Sequence, residues 1–206
     1  MAKTKMFKFN VKNVKYAVPG ELGAYSAPED LAYANSISLE ADYEETKLFG
    51  DGQILAILGD DKGKTGTLSV TNIEKDYEIA MKRALEIEGG LADIQQRSSV
   101  EHAIYFEVDA IENGVGKTIK RWVFGVTTGK ASETYDQTQD SPTVNTYDYP
   151  LTVLGVNLKN SLGTEDYHDE NGNTLKVFYM TSFPGDTGYD TFEDGVPTPK
   201  VKAVTP

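Results

Sequence analysis

The tripeptide Gly-Lys-Thr, which closes the phosphate-binding loop of many nucleotide-binding proteins, occurs twice in this sequence, at residues 63–65 and 116–118. Such a loop also needs a glycine five residues before the glycine of the tripeptide, and a following helix whose amide groups hold the phosphate. The required positions are Leu58 and Ile111, and the segments that follow alternate as strands do. We therefore predict that each tripeptide lies where a turn leads into a strand, and that neither binds a nucleotide.

A second group of residues, in the segment 166–170, has side chains that can bind cations. It consists of Asp166, His168, Asp169 and Glu170. A calcium loop of the helix–loop–helix type needs an acid at its first position and a glutamate at its twelfth. Alignment on Gly172 places Tyr167 and Phe178 there, so the pattern fails. The turn-forming residues of this segment predict a solvated hairpin loop instead.

Four closely spaced acids form the third group: Glu40, Asp42, Glu44 and Glu45. Two paired carboxylates can carry out the hydrolysis of a glycosidic bond. Alternating acids on the outer face of a strand are more often simply solvated, and they would present a negative surface if that face bordered a cavity or a channel. The sequence alone leaves these alternatives open.

Other catalytic chemistry has little material in this chain. The sequence contains no cysteine and no nucleophile elbow of the form G-x-S-x-G. Its two histidines, His102 and His168, are far apart in sequence. We therefore expect a protein that is not an enzyme and that needs no metal or other cofactor.

A basic cluster beside an aromatic residue, of the kind on which nucleic-acid bases stack, occurs at residues 117–122. Trp122 is in phase with the inward residues of a strand, which favours a core aromatic. The formal net charge of −12 also disfavours tight DNA binding, which usually relies on a basic face. The exposed lysines could instead pair with acids on a neighbouring copy.

Strands must position most of these residues, because apolar and polar residues alternate through most of the chain. The apolar phase changes between Val11 and Val14, which predicts a bulge within one long strand. The segment ENGVGK predicts the turn of a hairpin whose strands carry Phe106 and Trp122. A change to helical period predicts one helix at about residues 73–88.

The helix is expected to have Asn72 as its N-cap and to end at Gly89-Gly90. Residues 130–143 lack periodicity and predict a long mobile loop. Residues 184–206, rich in Pro, Gly, Asp and Thr, predict a flexible C-terminal tail or arm. The expected fold is mainly β, a single domain over residues 1–183 built as an antiparallel β-sandwich or barrel with the helix against its side.

The order of these segments resembles the major tail protein family of long-tailed bacteriophages, the subunits of the tail tube. The resemblance covers most of residues 1 to about 182 and rests on the joint order of several segments. They are FKFNVKNVKYAVP, SISLEADYEETKLFGDGQ, GTLSVTNIEKDYEIAMKRALEIEGG and AIYFEVDAIENGVGKTIKRWVFGVTTGKASETYDQTQDSPTVNTYDYPLTVLG.

The resemblance implies a structural protein of the virion with the β-sandwich or barrel of the tail-tube type. Six copies would close into a homo-hexameric ring, and rings would stack into a hollow tube around the tape-measure protein. Tail-terminator and distal-tail proteins are further expected partners. DNA would pass through the bore without sequence-specific binding, and assembly would take place in the host cytoplasm. No catalytic residues are carried over.

Within such a tube, an acidic bore would repel DNA and let it slide. The acids expected to face the lumen are Glu40, Asp42, Glu44 and Glu45. The residues expected to contact a neighbouring subunit are Lys64, Lys117, Tyr135 and Asp136. Residues 44–64 and 130–143 are expected to become ordered only when rings stack.

A carbohydrate-binding β-sandwich that acts outside the cell is the alternative from another class, with Tyr135, Tyr147 and Tyr149 as its exposed aromatic residues. Such a protein would need an export signal. Lysines such as Lys8 and Lys12 interrupt the N-terminal segment, and no apolar run approaches the roughly 18 residues that span a bilayer. We therefore expect a chain that is retained in the cytoplasm and does not contact a membrane.

Overall fold

The structure is a computed structural model that describes residues 6–20, 24–31, 33–133 and 145–202. Its strands are β1 (Met6–Ala17), β2 (Glu29–Asp30), β3 (Ala34–Gly50), β4 (Gln53–Val70), β5 (Ala84–Ile87), β6 (Gly90–Asp93), β7 (His102–Glu112), β8 (Val115–Thr128), β9 (Tyr147–Val153), β10 (Val156–Asn157), β11 (Lys176–Val177) and β12 (Tyr179–Ser182). The helix α1 spans Lys75–Ala80. All strand pairs are antiparallel, so the predicted mainly-β fold is confirmed.

The main sheet has the strand order β2-β1-β7-β8-β9-β4-β3, and β12 also pairs with β8. One edge of β8 pairs with β7, while the other is shared by β12, opposite residues 120–123, and β9, opposite residues 126–128. Gly125 lies at this change of partner with φ of +61°. A Cβ there would lie 2.6 Å from the carbonyl oxygen of Gly155, so the close approach of the two segments requires glycine.

The sheet curls so that β1 and β3, near its two ends, come into contact around an inner core. The buried members of the inner core are Val14, Tyr16, Leu31, Leu68, Val70, Tyr77, Met81, Ile104, Phe106, Val123, Val126, Tyr149, Leu151 and Val153. A second, outer core lies on the other face of β7 and β8. Its buried members are Ala17, Ala103, Tyr105, Trp122 and Phe124. The β7–β8 hairpin is therefore buried on both faces.

The predicted bulge in the first strand is confirmed. The register of β1 against β7 shifts twice, between Phe9 and Val11 and between Lys12 and Lys15. Positive φ angles at Asn10 (56°) and Asn13 (50°) accompany these shifts. Asparagine tolerates this left-handed conformation better than most residues, which explains why the strand bends at these positions.

The predicted helix at 73–88 is wrong in its extent, because α1 ends at Ala80. Lys82 has φ of +55°, and strand β5 begins two residues later. From there the apolar residues alternate with glutamates, which is the period of a strand. Gly89 lies in the connection between β5 and β6, and Gly90 is the first residue of β6. Asn72 is not the N-cap; Glu74 occupies that position without a side-chain cap bond.

The expected flexible C-terminal tail also differs from the structure. Residues 184–202, here named the strap, follow an irregular path of successive turns across the outer core. Trp122 Nε1 donates a hydrogen bond to the carbonyl of Phe192 at 2.7 Å, and the Lys120 ammonium pairs with Glu193 at 3.1 Å. The strap lacks periodicity because turns and single side-chain contacts, rather than strands or helices, hold it against the sheet.

Candidate interaction surface

Strands β3 and β4 form a ladder over nearly their whole length, but β9 pairs with β4 only along residues 64–70. Residues 43–61 therefore project beyond the sheet as a two-stranded arm that closes through Asp51-Gly52. These two residues have φ of 50° and 78°, as a tight hairpin turn requires. At about 3.3 Å per residue, the arm is about 25 Å long. Residues 44–64 were expected to become ordered only on assembly, whereas the structure of the single chain has them in this hairpin.

The outer half of the arm carries large apolar side chains that contact solvent. Its exposed apolar residues are Leu48, Phe49, Ile54, Leu55, Ile57 and Leu58, with exposed fractions between 46% and 72%. Successive residues of a strand point to opposite faces, so neighbours such as Ile57 and Leu58 make both faces of the arm apolar. A two-stranded hairpin has marginal stability alone in water, and an exposed apolar edge is an association hazard. The arm therefore has the composition of an interface.

Acidic side chains surround the base of the arm. This acidic collar consists of Glu40, Asp42, Glu44, Glu45, Asp60 and Asp61, and all six residues are exposed. Glu44 lies directly opposite Asp60 in the ladder and pairs with Lys62. The hydrogen bond from Lys62 lowers the pKa of Glu44 below its ordinary value. The first four acids are thus brought together on the surface, while their predicted position at a lumen stays a prediction.

The predicted contact residues have different surroundings. Lys64 is half-buried, with its ammonium 5.6 Å from the ring centre of Phe178 and 5.9 Å from that of Tyr179. Lys117 pairs with Glu112 of its own hairpin, so its charge already has a partner in the same chain. Tyr135 and Asp136, like most of the predicted loop at 130–143, lie outside the described residues.

Both Gly-Lys-Thr tripeptides lie within strands, but only the second lies where a turn leads into a strand; for the first, in the interior of its strand, that prediction was wrong. The first is in β4 and the second is in β8, just after the Asn113-Gly114 turn. Neither is followed by a helix N-terminus that could hold a phosphate. Gly63 is buried with φ of 117°, and a Cβ there would collide with the carbonyl of Val153. This glycine therefore serves the close packing of β4 on the end of β9.

The two histidines are not brought together. His102 is fully buried, and its Nε2 lies 3.0 Å from the Tyr77 hydroxyl. Burial lowers the pKa of His102 to about 4, so the ring is neutral at neutral pH. His168 lies in the exposed 166–173 hairpin, where its Nδ1 is 3.3 Å from the Thr174 hydroxyl. Neither ring is placed to act with the other.

The buried polar residues around α1 form a network that sequence reasoning missed. The Arg83 guanidinium is fully buried and donates two hydrogen bonds to Glu78, both at 3.0 Å. It also donates to the Thr128 hydroxyl at 2.8 Å and to the Gly129 carbonyl at 2.7 Å. The paired charge joins α1 to the end of β8, which is a structural role.

The acidic segment at 166–170 forms the predicted hairpin loop. The Asp169 carboxylate accepts hydrogen bonds from the backbone amides of Asn171 and Asn173, at 2.9 and 2.8 Å, and Asp166 pairs with Lys159 at 2.7 Å. Among the described residues, no three acidic or histidine side chains converge to hold a metal ion.

The aromatic residues expected to bind a sugar are only partly available. Tyr149 is fully buried and its hydroxyl donates to Glu78 at 2.7 Å, so the prediction that it is exposed was wrong. Tyr147 is half-buried, and Tyr135 lies outside the described residues. The inward phase of Tyr149 within β9, between Tyr147 and Leu151, was the signal for its burial.

Comparison with known proteins adds no family: the sequence matches no protein-family model, and a search of curated sequences also finds no match. Within the ranges that the structure describes, no helix is both long enough and apolar enough to cross a membrane. The fold and the arm are therefore the observations on which a function must be argued.

Proposed function

We propose that this protein is a structural subunit that associates with copies of itself. By the resemblance of its segment order, we assign it as a major tail protein that forms the tail tube of a long-tailed bacteriophage. The arm at residues 43–61 carries this proposal, because it presents apolar side chains on both faces and projects from the sheet that supports it. A solvent-exposed surface of this kind marks an interaction site.

A second copy of the chain is the partner that this surface fits best. The arm projects from one end of β3 and β4, and we propose that it meets a different surface on its neighbour, which makes the contact head to tail. Head-to-tail contacts close into rings or continue as filaments, whereas a symmetric dimer would bury the arms of both copies and add no further subunit. Among the described residues, one edge of β3 has no partner strand, and it offers further backbone donors and acceptors to a neighbouring strand.

The charge of the molecule suits a tube through which DNA passes. A chain with a formal net charge of −12 repels a polyanion, and the acidic collar concentrates that charge on one exposed surface. We propose that Glu40, Asp42, Glu44 and Glu45 lie near the lumen of the ring. The tape-measure, tail-terminator and distal-tail proteins enter the proposal through the resemblance.

Assembly of the purified chain tests this function. Concentrated protein is examined by size-exclusion chromatography with light scattering and by negative-stain electron microscopy, and rings or hollow tubes are expected. The variant Phe49→Ser/Leu55→Ser, at the arm tip, is expected to stay a folded monomer. The matched control Leu154→Ser/Leu162→Ser removes two exposed leucines elsewhere and is expected to assemble. A wild-type chain that stays monomeric up to its solubility limit would overturn the proposal.

A further inference from the structure

A groove of about 440 Å³ lies where β1 and β3 contact each other. Among the described residues, no backbone hydrogen-bond ladder joins these two strands, so the curled sheet is open along this seam. Six apolar side chains line the groove: Phe9, Val11, Ile37, Leu39, Phe106 and Val108. The charged residues of its lining are both basic, Lys8 and Arg121.

Arg121 has an unusual environment for a half-buried cation. Its guanidinium lies 4.6 Å from the ring centre of Tyr179 and 5.9 Å from that of Phe106, and its Nε donates a hydrogen bond to the Thr181 hydroxyl at 3.1 Å. Burial lowers the pKa of Arg121. Within the described part of the chain, no carboxylate pairs with it. Lys64, which approaches the same Tyr179 ring, also has no acidic partner there.

Most other cations among the described residues do have an acidic partner, unlike Arg121 and Lys64. Nine lysine and arginine side chains form ion pairs with acids among the described residues: Lys12, Lys15, Lys62, Lys75, Arg83, Lys117, Lys120, Lys130 and Lys159. The chain has 32 acids against 20 lysines and arginines, so acids are in excess. We name Lys64, Arg121, Tyr179 and the adjoining groove the basic cleft.

The acidic collar shows the complementary imbalance. Glu40, Asp42, Glu45 and Asp60 are exposed and form no ion pair with the described residues. Of these, Glu45 and Asp60 lie beside the apolar part of the arm, just as the cations of the cleft lie beside an apolar groove. The arm cannot fill the cleft of its own chain, because the β3–β4 ladder carries its tip away from Lys64 by about 3.3 Å per residue.

We propose that the basic cleft receives the arm of a second copy of this chain, with Lys64 and Arg121 facing Glu45 and Asp60 of the collar. The apolar side chains of the arm would cover the lining of the groove. This inference rests on the proposed function and deepens it, because it names the surface that accepts the arm. Charge complementarity would set the register and select this partner over others.

Two charge variants test the contact. The cleft variant is Lys64→Glu/Arg121→Gln, and the arm variant is Glu45→Lys/Asp60→Lys. Each alone is expected to stay folded, as judged by circular dichroism, and to have a critical concentration for assembly raised about tenfold or more. Lys64→Glu alone is made as well, because it leaves the half-buried Arg121 in place. The control Lys75→Glu/Lys176→Gln makes the same charge change at two exposed lysines outside the cleft and is expected to assemble as the wild type does.

Mixing the two variants in equal amounts is the decisive measurement. The arm of the cleft variant then meets an unaltered cleft, and the lysines of the arm variant meet the new glutamate, so assembly is expected to return in alternating order. If both variants assemble like the wild type, or if the mixture does not restore assembly, the inference is overturned while the proposed function stands. If the wild type itself never assembles, the proposed function fails and this inference fails with it.

Discussion

Two hairpins of this protein share one type of turn and differ in what surrounds them. Strands β7 and β8 meet at Asn113-Gly114, with φ of 51° and 85°, and β3 and β4 meet at Asp51-Gly52, with φ of 50° and 78°. The first hairpin is buried on both faces, between the inner and outer cores. The outer part of the second is exposed on both faces. Turn chemistry thus sets where the chain reverses, while the other elements decide which hairpin is covered.

The apolar residues of the two hairpins look alike in sequence but have different roles. In β7 and β8 they stabilise the fold of one chain, because both faces exclude water. On the arm they leave about half or more of their surface in water and stabilise the single chain little. Their contribution would come from association. Four predictions test this difference, ordered by the decreasing effect that the first substitution named in each should have on the free energy of unfolding.

Trp122→Ala should have the largest effect. Trp122 is fully buried in the outer core and also donates a hydrogen bond to the strap. Removal of so large a buried side chain leaves a cavity, and we expect a loss of about 3–5 kcal/mol in the free energy of unfolding. Urea unfolding followed by circular dichroism measures it. A loss below about 1 kcal/mol would show that the outer core does not stabilise the hairpin.

Glu193→Gln should lower the free energy of unfolding by about 1.5–3 kcal/mol at pH 7, because it weakens the contact of the strap with the same hairpin. Burial raises the pKa of Glu193, but hydrogen bonds from Lys120, Asn13 and Lys15 outweigh burial and lower it. A lowered folded-state pKa gives stability that is complete above the unfolded-state pKa and is lost as pH falls through the folded-state pKa. The difference between wild type and variant should therefore shrink as pH falls below about 4.3, the ordinary pKa of a glutamate. A difference that stays constant below that pH would contradict this ion pair.

Gly114→Ala and Gly52→Ala make the same change in the two turns. A Cβ at either position meets nothing within 4 Å, so only the positive φ opposes it. We expect Gly114→Ala to lower the free energy of unfolding by about 1–2 kcal/mol. Gly52→Ala should leave global unfolding nearly unchanged and speed hydrogen exchange in the arm alone, because the arm opens locally. Equal global losses would mean that the arm unfolds together with the rest of the protein.

Phe49→Ser should have the smallest effect on the single chain, within about 0.5 kcal/mol, because the ring is 67% exposed. The matched core substitution is Phe124→Ser, at a fully buried ring, which should be destabilising by several kcal/mol. Thermal unfolding of dilute samples compares them without assembly. A large loss for Phe49→Ser would show that the arm packs on its own chain.

Much of the sheet could be predicted from the sequence, because alternation and turn residues are local signals. The bulged first strand and the β7–β8 hairpin were confirmed on that ground. The arm was missed, because the run Ile54–Leu58 has no polar alternation, and such a run usually indicates burial rather than exposure on both faces.

The helix and the strap could not be predicted for a different reason. Helical spacing continues past Ala80, but the buried pair of Arg83 with Glu78 and the pairing of β5 with β6 end the helix early. The strap depends on a distant surface, since it covers aromatic residues of β7 and β8. A signal for that cover was present: Tyr105, Trp122 and Phe124 make the outward face of those strands as apolar as the inward face.

Trp122 is also the only tryptophan in the sequence, and this gives the protein a built-in optical probe. Its indole N–H bonds to the strap, so the emission of the chain depends on whether the strap is seated. Release of the strap would admit water to the indole and shift its fluorescence to longer wavelength, without any label. A change in this signal during assembly would reveal strap movement, whereas a constant signal would mark the strap as a passive part of the subunit.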